Sequence, residues 1–175
     1  MAAPDINDPL RNAMLKAMRR LAKSVSVITC VHEGRRFAMS ASAVDSLSAD
    51  PPSVLICINR SSSIYAPLAQ GAAFCVNILA ANQQDIAHAC AGRLKGEDRF
   101  NEGNWSENAA GMPYLTDAQA SVMCRQDGQF EYGTHTVFIG RIEEIVVGET
   151  VSPLVYVDGT YTTSTPLPPA LAACA

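Results

Sequence analysis

Residues 59–65, Asn-Arg-Ser-Ser-Ser-Ile-Tyr, crowd an amide, a guanidinium and three hydroxyls between an apolar run, PPSVLICIN, and the start of a short helical stretch. Free N–H groups at a helix start, joined by hydroxyls and a guanidinium, form a site for an anion, most naturally a phosphate. The same serines are good caps, and Ser62 or Ser63 closing the first turn accounts for the pattern equally well. A second candidate is His135, in EYGTHTVFIGRI. It follows a Gly-Thr turn and heads a run in which Val137, Ile139 and Arg141 alternate with Thr136, Phe138 and Gly140. That period of two belongs to a strand and sets the histidine at its mouth. A histidine there either satisfies a turn carbonyl or serves a ligand.

Two further stretches carry polar groups where packing alone does not ask for them. MSASAVDSLSADPP, residues 39–52, is dense in small hydroxyl residues where a strand ends and a loop leads to the next. Small side chains let main-chain N–H and C=O groups approach a flat heteroaromatic ligand, although ordinary loop polarity gives the same composition. FCVNIL buries Asn77 in an apolar strand, where an unpartnered amide costs about 1–3 kcal/mol. Its partner is therefore either backbone or ligand. Trp105, the only tryptophan, lies in RFNEGNW and reads as the anchor of a long loop.

The elements that must position these groups follow from periodicity. Asp8 caps a helix with Pro9 at its first position, and Leu10, Met14, Ala17, Met18 and Leu21 make one apolar stripe ending near Lys23. Residues 24–42 read as a hairpin turning at HEGRR, and PPSVLICIN as a third strand. A short helix stopping at Gly71, the strand AFCVNIL, and a second short helix ending at Gly92 come next. Residues 93–114 read as a long surface loop. AQASVMCRQDGQF and HTVFIGRIEEIVV then form a hairpin, PLVYVDGTY the last strand, and TPLPPALAACA a loose tail. This order is neither a βαβ repeat nor a sandwich; it suggests one mainly β, α+β domain, a closed or half-closed antiparallel barrel with helices outside.

Composition narrows the functions. With 13 basic and 17 acidic residues in 175, the net charge is −4, and no basic stripe matches a phosphate backbone, so no nucleic-acid partner is expected. The apolar runs are too short to span a bilayer and carry no export signal, which leaves no membrane association and a cytoplasmic location as the expectation. Cysteines 30, 57, 75, 90, 124 and 174 include no C-x-x-C pair, and the three histidines form no H-x-x-x-H, so inert thiols and no metal are expected. No G-x-G-x-x-G follows a strand.

Taken in order, SVSVITC, MSASAVDSLSADPPSVLICINRSSSIY, FCVNIL with Gln83, RFNEGNW, GMPYL, GTHTVFIGRI and PLVYVDGTY resemble the flavin reductase-like family, over roughly residues 10–161. These are the small reductases that supply reduced flavin to two-component monooxygenases. The resemblance implies a homodimer of split β-barrels, each of about six antiparallel Greek-key strands. It implies FMN or FAD bound near the dimer interface, NADH or NADPH as co-substrate, and a monooxygenase as partner. Carried over by position, Met39, Ser40, Ala41 and Ser42 with Ser46, Leu47 and Ser48 line the flavin ring. Asn59, Arg60, Ser61, Ser62 and Ser63 with Tyr65 hold the ribityl phosphate, Asn77 faces the flavin, and His135 stands where the nicotinamide stacks. Thr134 replaces the Asp of many members, Ala80 a frequent serine, and Pro67 falls in the first turn of the short helix. The alternatives are a flavin store or sensor without turnover, a reductase of a corrinoid or ferric chelate, and, last, an enzyme like the pyridoxamine-phosphate oxidases.

Overall fold

The computed structural model describes residues 8–167; the start of MAAPDINDPL, Cys174 and most of the proline-rich tail lie outside them. Asp8 accepts a bond from the Leu10 N–H at 2.9 Å and caps α1, Pro9–Met18. The helix stops one turn short of the expected Lys23, because the chain is redirected into β1, Lys23–Ser24. No residue of α1 is buried, and Leu10, Met14, Met18 and Leu21 stand about half exposed or more.

A seven-stranded antiparallel sheet forms the body. Its strands are β2 (Ser26–His32), β3 (Arg35–Ala41), β4 (Val44–Ala49), β5 (Pro52–Asn59), β6 (Phe74–Ile78), β9 (Ala120–Tyr132) and β10 (His135–Val147), in the spatial order β3-β2-β6-β9-β10-β5-β4. Glu33 and Gly34, both at positive φ, make the two-residue turn of the first hairpin. β4 was not expected as a strand. Almost every residue of it is exposed, and an edge strand open on both faces loses the alternation that betrays a half-buried one. The two edges, β3 and β4, are consecutive in the chain and separated only by Ser42 and Ala43.

Ile28, Ile56, Ile58, Phe74, Val76 and Phe138 pack on one face of the sheet. A second cluster, including Val27, Leu79, Ile86, Cys90 and Leu115, lies beneath α3, Gln84–His88, and the chain that follows it. The expected long loop is partly ordered: a π-helical turn over Ala89–Arg93, a 3₁₀ turn over Gly96–Asn101, and the hairpin of β7 (Trp105–Glu107) with β8 (Pro113–Leu115). Trp105 anchors it, giving its indole N–H to the Glu102 carbonyl at 2.7 Å and meeting Phe100 edge-on. The single last strand expected near 153–161 is two, β11 (Leu154–Val157) and β12 (Thr160–Thr163), folded at Asp158-Gly159 and paired beside β1.

Candidate functional site

Strand register brings the two strongest sequence candidates together. β10 and β5 pair so that His135 lies opposite Asn59, and the tight turn Gly133-Thr134 sets Tyr132 of β9 on the other side of the histidine. Thr134 Oγ1 is 2.9 Å from His135 Nδ1. A hydroxyl thus holds the ring where a carboxylate was missing, which leaves Nε2 as the outer nitrogen. The Thr134 carbonyl also accepts the Arg60 N–H at 3.0 Å, tying the hairpin turn to the serine loop.

Within that loop Asn59 is the organiser. Its Oδ1 accepts from the Ser61 N–H and hydroxyl, both at 2.9 Å, while its carbonyl accepts from the Ser62 hydroxyl at 2.8 Å. None of the three serines caps α2, Tyr65–Ala69: its N-cap is Ile64, with no side-chain bond. Capping, the alternative reading of this stretch, does not account for them. Ser61 and Ser63 are exposed, and Pro67 sits in the first helical turn as expected.

Arg60 is engaged within the protein. Its guanidinium donates to Glu131 Oε2 at 2.7 Å and to the Gly133 carbonyl at 2.6 Å, and the Tyr65 hydroxyl meets the other Glu131 oxygen at 3.2 Å. A cation neutralised in this way secures the hairpin carrying His135 and is not a free clamp for an anion. The cation that reaches the serines is Arg99, whose Nη1 bonds Ser63 Oγ at 3.3 Å and the Ala38 carbonyl, with Nε on the Leu94 carbonyl at 3.0 Å. Nothing in the spacing of residues 63 and 99 announces that contact.

Asn77 is engaged within the protein as well. It is fully buried, and its side chain is bonded within the protein: Nδ2 to the Val27 carbonyl at 3.0 Å, Oδ1 from the Leu115 N–H at 2.8 Å and from the Ser121 hydroxyl at 2.9 Å. It faces the β7–β8 hairpin, not a ligand mouth.

The ring-lining candidates divide. Ser40 gives its hydroxyl to the Ala87 carbonyl at 2.6 Å, and Met39 packs half-buried against the core. Ser42 is exposed and stands between two cavities. One, of about 240 Å³, is lined by Ser40, Ala41, Tyr156 and Tyr161; the other, of about 490 Å³, by Leu15, Met18, Asp45, Leu55, Cys57 and Tyr156. Tyr156 belongs to both, and sequence reading missed it. Ser46, Leu47 and Ser48 lie at the far end of β4, where Ser48 pairs with Ser53. Ser53 is six residues along β5 from Asn59, about 20 Å at a strand rise of about 3.4 Å per residue. The structure therefore does not bring Ser46–Ser48 to the serine loop, and the Ser48 hydroxyl is engaged with Asp50. Ala80, in place of a serine, is held from the other side: Gln83 Oε1 accepts its N–H at 2.8 Å.

The fold is thus a mainly β domain in which a hydroxyl-rich loop, an arginine reaching it and a strand-mouth histidine lie at one end of the sheet. The chain belongs to the family described as flavin reductase like domain, whose model matches residues 18–165. It is 38% identical over 151 residues to the reductase component of an FADH(2)-dependent resorcinol hydroxylase from Rhizobium sp., covering 85% of this chain and 84% of that one. It is 39% identical over 151 residues to the FMN reductase (NADH) RutF of Methylorubrum extorquens, covering 86% and 74%. Among solved structures, a flavin reductase domain protein from Arthrobacter sp. FB24 superposes with a TM-score of 0.85 at 27% identity, over 92% of this chain and 99% of that one.

Proposed function

We propose that the protein is an NAD(P)H-dependent flavin reductase that supplies reduced FMN or FAD to a partner monooxygenase in the cytoplasm. One observation carries this reading: the register of β5 and β10 sets His135 beside the Asn59–Ser63 loop, so a charged tail and a ring can be held at one mouth. The fit to flavin is supported by the donors there. The hydroxyls of the serine loop do not cap α2, Arg99 reaches Ser63, and exposed Ser42 adjoins open cavity.

Bound flavin supplies the two-electron acceptor and reduced nicotinamide the hydride, so no side-chain nucleophile is required. Asn59 holds Ser61 and Ser62 in place for the phosphate. Arg60, through Glu131 and Gly133, fixes the turn, and Thr134 orients the imidazole. His135 then positions the nicotinamide electrostatically, because correct stacking of the two rings is most of what the protein must contribute. His135→Ala is expected to raise KM for the reduced nucleotide about tenfold with little change in flavin affinity, an effect worth about 1.4 kcal/mol. Steady-state oxidation of NADH and NADPH with FMN and FAD measures it; unchanged rates at every nucleotide concentration would remove His135 from the site. Oxidation of only one equivalent of NADH would mark a flavin store instead.

The same reading includes a split Greek-key barrel, supported by the two-residue link between the edge strands, which draws β3 and β4 together at that end. It also includes a homodimer. The apolar stripe of α1 has no buried residue, and Leu55, Cys57, Val137 and Ile139 form a half-buried patch on one face of paired β5 and β10. A second copy covers such a surface most simply. Light scattering at micromolar concentration tests it, a monomer being the adverse result. Reduced thiols at Cys30, Cys75, Cys90 and Cys124 suit the cytoplasm. Among the described residues no helix is long and apolar enough to cross a membrane.

A further inference from the structure

Five of the 13 basic residues and none of the 17 acidic ones fall between Pro9 and Ser24, the stretch that forms α1 and β1. The rest of the chain is left with eight basic residues against seventeen acidic. Arg19 is paired with Asp158 at 3.0 Å, and Lys23 lies 3.5 Å from Asp45. Lys16 and Arg20, one turn apart and both exposed, have no ion pair among the described residues. α1 has ten residues, none of them buried, and a helix so short is marginal in water without a packed face. Leu15 and Met18 line the groove beside Leu55 and Cys57, while Leu10 and Met14 stay 78% and 48% exposed. One copy of the chain thus leaves a cationic, apolar-striped helix uncovered.

A surface of the opposite character lies where β10 runs out. Ile145, Val147 and Val151 are 50%, 72% and 91% exposed, and a cleft of about 420 Å³ sets Val147 beside Asp117 and Glu149. Asp117 is bonded to the amides of Gln83 and Asn104, at 2.9 and 2.8 Å, and neither it nor Glu149 is in an ion pair among the described residues. Another exposed apolar surface with acids beside it, Phe130 and Tyr132 on the β9–β10 hairpin, is already neutralised: Asp127 is held by Arg125 and Arg141, and Glu131 by Arg60. We infer that α1 of one copy docks on the surface 145–151 of a second copy. Its stripe covers Ile145, Val147 and Val151, and Lys16 and Arg20 face Asp117 and Glu149. Opposite charges select this pairing, and two-fold symmetry repeats it, so each copy gives its helix and receives its partner's. This rests on the homodimer reading above and names the surfaces that meet.

Light scattering and native mass spectrometry of the purified chain test this, with no need for turnover. Lys16→Glu combined with Arg20→Glu is expected to raise the dimer dissociation constant about a hundredfold, because both contacts then set acid against acid. Glu149→Lys combined with Thr150→Lys, which leaves the bonds of Asp117 alone, should do the same by setting cation against cation. Mixed together, the two variants should associate again with about the constant of the unaltered chain. Each contact of the mixed dimer joins opposite charges, and a misfolded chain could not recover in this way. Variants that dimerise as the unaltered chain does would overturn the pairing and leave a homodimer held by other surfaces. Weakened variants that stay apart on mixing overturn it as well. A monomeric unaltered chain overturns it together with the homodimer reading.

Discussion

Two asparagines on successive strands of the chain do opposite work. Asn77 sits inside β6 and Asn59 ends β5; each is bonded to a serine hydroxyl through its Oδ1. Around Asn77 everything is dry. Thr29, also fully buried, gives its hydroxyl to the Pro113 carbonyl at 2.6 Å, Ser121 bonds both Asn77 and the Leu115 carbonyl, and the group locks β2, β6, β8 and β9 to one another. Around Asn59 the same residue types are exposed, and the loop they shape opens to solvent. Chemistry of the side chain does not separate structure from function here; access to water does, because a buried amide must be satisfied by the protein and an exposed one is free to serve a ligand.

The sharpest way to break this contrast is to remove each amide in turn. Asn77→Ala removes the acceptor of the Leu115 N–H and of the Ser121 hydroxyl, and should cost about 3 kcal/mol, a Tm drop of about 9 °C for a chain of this size. Thermal unfolding measures it, and flavin affinity per folded molecule should stay as it was. Asn59→Ala should do the reverse: flavin binding weakened about tenfold by titration, with Tm shifted by no more than about 2 °C. If the two variants gave the same pattern, the division between dry and wet networks would be wrong.

Arg60 tests the boundary, being at the mouth yet engaged inside the protein. Arg60→Met should lower stability by about 1 kcal/mol, since the pair with Glu131 is partly exposed, and should weaken nucleotide use by releasing the turn that carries His135. A loss of flavin affinity matching that of Asn59→Ala, with Tm unchanged, would return Arg60 to the role of phosphate clamp. The smallest effect belongs to Glu97, whose carboxyl Arg36 holds below the ordinary carboxylate value. A depressed folded-state value stabilises above the unfolded-state value, near about 4.3, and that contribution is lost as pH falls through the folded one. Glu97→Gln should therefore lower Tm by about 1–2 °C at neutral pH, the pair being exposed and screened, and by nothing measurable near pH 3.

Burial also explains the thiols. Cys90 is pushed up to about 11 and Cys30 to about 12 by desolvation, which leaves both protonated and unreactive at neutral pH, in keeping with their reading as small hydrophobes. Cys57, on the exposed face of β5, is raised as well but is half open to solvent.

Period-two runs were enough to mark β2, β3, β5, β6, β9 and β10, and Asp8-Pro9 to start α1, because these signals are local and each residue carries its own part of them. Residue types alone also drew notice to the 59–63 loop and to His135. What no local pattern contained was partnership across the chain. Whether Asn77 meets a ligand or Leu115, whether Arg60 is free or held by Glu131, and that Arg99 arrives at Ser63 depend on strand register and on a loop crossing from thirty-six residues away. Burial and pairing of polar groups are set by which surfaces come together, so only the tertiary structure decided them.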